Sequence, residues 1–217
     1  MNIRTVTGLL AAIVLLQPAL AAADGGLGDP GPWMLRIGVA NVDPTVDHNS
    51  DHLGAVPLTV RAESRVGATL NVDYRFSEYF SVDLLGSQPL THQIDIALPG
   101  GKPTRLGSTR LLPPTLSLQF HPLGNRRLDP FVGVGVNRTF FFNEALNGPL
   151  AGNNFQLSNT WGFAAQIGLD AKLGRRWLVG ADVRYIRIKP DASVNGTPIG
   201  EVRIHPLVYG VNLGYRF

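Results

Sequence analysis

The segment "DHNSDH" gathers Asp47, His48, Asp51 and His52. On a helix, the i, i+4 spacing of the two histidines would set them on one face as metal ligands. The surrounding asparagine, serine and glycine make the segment a solvated polar loop instead, so no metal is assigned. His92 with Ser87 or Ser108, and His205 with Glu201, are residue types that supply a nucleophile and a base. No G-x-S-x-G or comparable motif accompanies either pair. His205 and His121 read more simply as interfacial side chains at strand ends. "GVGVN" lacks the G-x-G-x-x-G pattern and opens no helix, so no nucleotide site and no cofactor is implied.

The elements that would carry any such chemistry are strands. Read back from the terminus, "VYGVNLGYRF" sets Tyr215, Leu213, Val211 and Tyr209 against Arg216, Gly214, Asn212 and Gly210. A period of two is a strand with one apolar face. The same alternation runs through "WMLRIGVANV", "VGATLNVDYRF", "FSVDLLGS", "LPPTLSLQFH", "PFVGVGVNRTF", "WGFAAQIGLDAKL" and "WLVGADVRYIRI", which makes eight strands. Ser77-Glu78, "PLGNRR" and "GRR" are short turns. The long segments between them run roughly over 44–65, 88–109, 143–159 and 190–201, with "NEALNG" read as one helical turn. Short turns at one end and long loops at the other predict an all-β, eight-stranded antiparallel transmembrane barrel. The turns and both termini would be periplasmic and the loops extracellular.

A soluble lipocalin-like barrel alternates too, with its apolar face inward. Two features separate the two folds. Trp33, Tyr74, Phe76, Tyr79, Phe80, Phe120, Trp161, Trp177, Tyr215 and Phe217 lie on the apolar phase near strand ends, as interfacial girdles do. The opposite phase combines charge with glycine, which suits a narrow lumen. The apolar phase therefore faces lipid, and the last strand pairs with the first to leave no edge.

Residues 1–21 read as a secretory signal for the Sec pathway. Arg4 precedes a short apolar core, Ala19-Leu20-Ala21 is a cleavage signal, and the cut is possible up to residue 23. Residues 22–217 then form one barrel domain. Of 19 basic residues, removal of Arg4 leaves two more than the 16 acidic ones, and no basic run points to nucleic acid. The chain has no cysteine, hence no disulfide.

"LRIGVANVDP", "LPPTLSLQFHP", "DPFVGVGVNRTFFF", "WGFAAQIGLDAKLGRRWLVGADVRYIRI" and the closing "GYRF" resemble the outer-membrane protein W family across the mature chain. The resemblance implies an integral protein of the bacterial outer membrane with a narrow, partly hydrophobic lumen. It also implies uptake of small hydrophobic molecules with sideways release into the bilayer, a branch of the family serving alkanes. Tyr215 and Phe217 resemble the signal by which the outer-membrane assembly machinery recognises its clients. Partners so implied are outer-membrane lipids, small hydrophobic solutes and that machinery.

Sorting the inward phase by height divides the lumen. The lower half holds Arg36, Asp73, Arg75, Asp83, Gln119, Asp170, Lys172, Asp182, Arg184 and Arg216. The upper half holds Val42, Leu85, Leu111, Pro113, Phe141, Ile186, Ile188, Ile204, Pro206 and Val208. A polar plug below an apolar funnel is the expected arrangement. Passive uptake of hydrophobic solutes through the funnel is one reading. A filled structural or receptor-type barrel without transport is another, and a lipid-modifying enzyme of the outer membrane is a third. Apolar loop residues (Leu53, Val56, Leu58, Val60, Leu146, Leu150, Phe155, Leu157) would pack together and shape the funnel's mouth.

Overall fold

The computed structural model describes residues 30–46, 52–53, 56–57, 59–97, 104–124, 126–146, 154–201 and 203–217. The signal segment and the "DHNSDH" side chains lie outside the described residues. So do the side chains of His92 and Glu201, and those of the loop residues Leu53, Val56, Leu58, Val60, Leu146 and Leu150. Eight strands form the wall: β1 (Trp33–Val46), β2 (Arg65–Arg75), β3 (Phe80–Ser87), β4 (Thr115–Phe120), β5 (Leu128–Leu146), β6 (Thr160–Lys172), β7 (Trp177–Arg187) and β8 (Ile204–Arg216). Each pairs antiparallel with its sequence neighbour in the wall. The ring closes where β1 meets β8, from Met34 opposite Arg216 to Val46 opposite Ile204.

The pleat assigns the two faces without ambiguity. On one phase Ile37 is 58% exposed, Val134 55% and Ile167 60%, while on the other Arg36, Asp73, Asp83 and Arg184 are buried. A soluble barrel would show the reverse. Aromatic pairs ring the turn end: Trp33 with Tyr74 at 4.7 Å, Phe80 with Phe120 at 5.3 Å, and Trp177 with Tyr215 at 4.8 Å between centroids. No helix among the described residues is long and apolar enough to cross a membrane, so the crossing is made by strands.

The loop end departs from the sequence expectation. Strands continue into the segments read as loops. The hairpin Leu90–Ala97 with Thr104–Leu112 extends the sheet, joining Thr59–Ala62 on one side and the upper part of β5 on the other. The "NEALNG" helical turn is overturned: Asn143 to Leu146 continue β5 as strand. "LPPTLSLQFH" is not one continuous strand either. Pro113-Pro114 break it, because neither proline can donate to a ladder. A second small sheet, Phe155–Leu157 with Asp191–Val194 and Thr197–Glu201, folds against the loop end. Its hairpin turns at Asn195-Gly196, with φ of 51° and 79°, the type I′ turn that a right-twisted hairpin favours.

Candidate functional site

The inward phase of the eight strands builds a lumen in two storeys. In the lower one, Arg36 on β1 grips Asp73 on β2 with two donors, Nε at 3.0 Å and Nη2 at 3.2 Å. Its Nη1 reaches across the barrel to Asp170 on β6 at 2.6 Å. The guanidinium stands 5.9 Å from the ring of Phe131, a buried aromatic on β5. Arg184 on β7 donates to Asp83 on β3 at 2.9 Å, and Asn71 completes that carboxylate at 2.6 Å. Asp182 lies 4.0 Å from Arg184 and is only partly buried. Glycines make the space: a Cβ on Gly168 would strike the Phe131 ring, and one on Gly180 would meet the Asp170 carboxylate.

Nearer the turns, Arg75 donates to Asp129 at 2.6 Å and to the Glu78 carbonyl at 2.6 Å. Asp129 also stands 3.2 Å from His121 Nδ1, and His121 Nε2 lies 2.9 Å from Ser81 Oγ. Serine, histidine and aspartate thus stand in the order of a catalytic relay. The Ser81 hydroxyl, however, donates to Gln119 at 2.8 Å and the residue is 2% exposed, which leaves no approach for a substrate carbonyl. The group braces the floor. His121 was expected at the interface; the structure buries it, because the β4 phase that turns Phe120 outward turns His121 inward. Lys172 and Arg216 sit at the mouth of this end with Met34, lining a cavity of about 30 Å³.

The upper storey is apolar. Phe141, Ile186, Ile188 and Val208 form a buried cluster with Ala40 and Ala164, and Val42, Leu111 and Ile204 pack against it. Leu157 and Ala192, from the small outer sheet, belong to the same cluster, with Phe155 beside them. In the described conformation the funnel is therefore capped and filled. Pro206 is buried on the same phase. Leu85 lies at the boundary between storeys, lining a cavity of about 10 Å³ with Asn71 and Arg184.

Pro113 sits at the break above β4. Its carbonyl and that of Pro114 each accept from Asn137 Nδ2 at 3.1 Å. Asn137 also donates to Thr115 Oγ1 at 2.9 Å and accepts from Thr139 at 2.6 Å. Sequence reasoning left out Asn71, Ser81, Phe131, Asn137, Thr139 and Gln166 as lumen residues, although the alternation that found their neighbours includes them all.

A closed ring of eight strands with hydrocarbon outside and ion pairs inside is an integral outer-membrane β-barrel, with the turns periplasmic and the loops extracellular. The sequence profile of the OmpW family matches residues 29–217, and the chain belongs to that family. It is 31% identical over 211 residues to outer membrane protein W of Vibrio cholerae, covering 92% of this chain and 94% of the relative. The crystal structure of OprG from Pseudomonas aeruginosa superposes with a TM-score of 0.70 at 30% identity, covering 87% of this chain and 97% of that one. A third relative, 26% identical over 212 residues, covering 94% of this chain and 98% of its own length, is the dibenzothiophene metabolism operon protein PahQ of Pseudomonas aeruginosa.

Proposed function

We propose that this barrel lets small hydrophobic molecules cross the outer membrane passively, entering from outside and leaving sideways into the bilayer. The observation that carries the reading is the division of the lumen, with an aliphatic and aromatic storey directly above a cross-linked charged floor. An apolar solute gains about 25 cal/mol for each Å² removed from water, so the upper storey attracts it roughly by size. It gains nothing by entering the floor, where it would have to separate buried ion pairs.

The wall offers an easier exit. The β3–β4 ladder ends at Leu85 opposite Thr115, just below two prolines that cannot extend it. Above them, Thr104–Leu112 pairs with Leu90–Ala97 and β5 rather than with β3. Leu85, Leu111 and Pro113 flank this seam. Entry requires the cap carrying Leu157 and Ala192 to move. A relative named for an operon of dibenzothiophene metabolism, an apolar heteroaromatic, fits the same solute class. Tyr215 and Phe217 serve as the recognition signal for the assembly machinery in this reading.

The filled lumen favours a second reading, a structural or receptor barrel without transport. Uptake by intact cells carrying or lacking the protein separates the two, using a hydrocarbon and a polar solute of similar size. Acceleration of the hydrocarbon alone supports the proposal. Equal acceleration of both means a general pore, and no effect on either favours the structural or an enzymatic role.

A further inference from the structure

Two arginines stand on the lipid-facing phase of the wall. Arg138 on β5 alternates with buried Asn137 and Thr139, and Arg187 on β7 with buried Ile186 and Ile188. Below them the same phase is apolar, with Val132, Val134 and Val136 on β5 and Val179, Val183 and Tyr185 on β7. Each arginine is ten residues above the turn-end residue of its strand, Leu128 for Arg138 and Trp177 for Arg187. At about 3.3 Å per residue and a tilt near 40°, that is a height of about 25 Å. An apolar band of an outer-membrane barrel is about that tall. Both guanidiniums therefore reach the headgroup level of the outer leaflet.

They share one sector. Arg138 is paired in register with Trp161 of β6, and Arg187 with Phe163 of the same strand. The two arginines thus flank the exposed rings of Trp161 and Phe163, with Cα atoms roughly 12 Å apart by strand spacing and register. The Arg138 guanidinium lies 4.9 Å from the Trp161 ring and 5.7 Å from Phe140, which fixes its position. Neither arginine has a carboxylate partner among the described residues. Across the barrel, β1 carries Asn41 and Asp43 on its outward phase near the loop end, so that strand offers no matching pair of cations.

We propose that Arg138 and Arg187, with Trp161 and Phe163 between them, form a docking site for the phosphate groups of a glycolipid in the outer leaflet. Guanidinium matches phosphate with paired donors, and at headgroup level it can present them to an anion while its stem lies along the apolar wall. The two exposed rings give the ligand's sugar and acyl roots a rigid apolar surface. A lipid brings its own hydrophobic anchor to this layer, whereas free phosphate brings none. The site is independent of any transport through the lumen.

The test is native mass spectrometry of the full barrel released from nanodiscs containing lipid A, lipid A stripped of its phosphates, or neither. The wild-type barrel is expected to retain lipid A and to lose the dephosphorylated form. Arg138→Gln with Arg187→Gln should weaken retention about tenfold or more, and Arg138→Lys with Arg187→Lys by less. A hundredfold excess of inorganic phosphate should leave the bound lipid in place. Undiminished retention by the folded double glutamine variant overturns the site, as does equal retention of the dephosphorylated lipid or displacement by inorganic phosphate. Folding is read by heat-dependent gel mobility. Should the double glutamine variant fail to fold, the two lipids on the wild-type barrel decide the question.

Discussion

Arg184 Nη2 lies 2.9 Å from Asp83 Oδ2, and their strands, β7 and β3, stand opposite one another in the ring of eight. The pair is a tie across the full width of the lumen. Arg36 to Asp170 at 2.6 Å and Arg75 to Asp129 at 2.6 Å tie further strands that share no ladder. Backbone pairing holds each strand to its neighbours; these side chains hold the ring to its diameter.

Removing one end of such a tie strands the other. Arg184→Met should destabilise the barrel by about 3–5 kcal/mol, because Asp83 is left without its partner in a closed interior. Replacing both, Arg184→Met with Asp83→Leu, should recover most of that loss, since similar apolar volume needs no partner. Urea unfolding in lipid vesicles, followed by tryptophan fluorescence, measures both. A single variant within about 1 kcal/mol of wild type would mean that the tie contributes little.

Gly168 tests the fit around Arg36. A Cβ there would collide with the Phe131 ring and come within 2.8 Å of the Ala181 carbonyl. Gly168→Ala should therefore cost about 1–3 kcal/mol through overpacking. Combined with Phe131→Leu the losses should be less than additive, because the smaller side chain removes part of the clash. Strict additivity in the four-way comparison would show that the ring is not what confines the glycine.

The wall was legible in the sequence because one physical rule governs it: every second residue faces hydrocarbon. That rule sorted Ile37 from Arg36 and Val132 from Gly133 without any knowledge of contacts. It also suffices for His121, whose phase, opposite to that of Phe120, turns it inward although its place at a strand end suggests the interface. Three features were not legible. The ties Arg184–Asp83 and Arg36–Asp170 depend on how far the strands slide past one another around the ring, which alternation does not encode. The break at Pro113-Pro114 was readable as two missing donors, yet the strand's return above it as Thr104–Leu112 was hidden in a polar, glycine-rich stretch. The cap joins Leu157 and Ala192 to Ile186 by tertiary packing between segments that each look like loop.

Asn195 ties two strands of that cap to each other. Its backbone N–H donates to the Asn154 carbonyl at 2.8 Å, and its side-chain oxygen accepts from the Asn154 N–H at 2.9 Å. Asn195→Gly keeps the positive φ that the turn requires and deletes the side-chain bond to Asn154. One such hydrogen bond is worth about 0.5–1.5 kcal/mol net, and global stability should fall by about that much or somewhat more, because glycine also loses more freedom on folding. Where cap opening limits entry, hydrocarbon uptake should rise severalfold. Unchanged uptake in the folded variant would place the limiting step elsewhere.

Ile186 is the most direct probe of the apolar route. It is 2% exposed, sits on β7 two residues above Arg184, and touches the cluster that joins wall to cap. Ile186→Ala removes volume without changing polarity, so uptake should change little even though stability falls by about 2–5 kcal/mol. Ile186→Asp introduces a carboxylate that holds water in the path, and each solute must displace that water. About 1.4 kcal/mol of added barrier slows entry tenfold. Hydrocarbon uptake in cells carrying Ile186→Asp should therefore fall about tenfold or more, with Val208→Asp behaving alike, while heat-dependent gel mobility still reports a folded barrel. Wild-type uptake in either folded variant would sink the apolar route, because no solute crossing the upper storey could avoid the new charge.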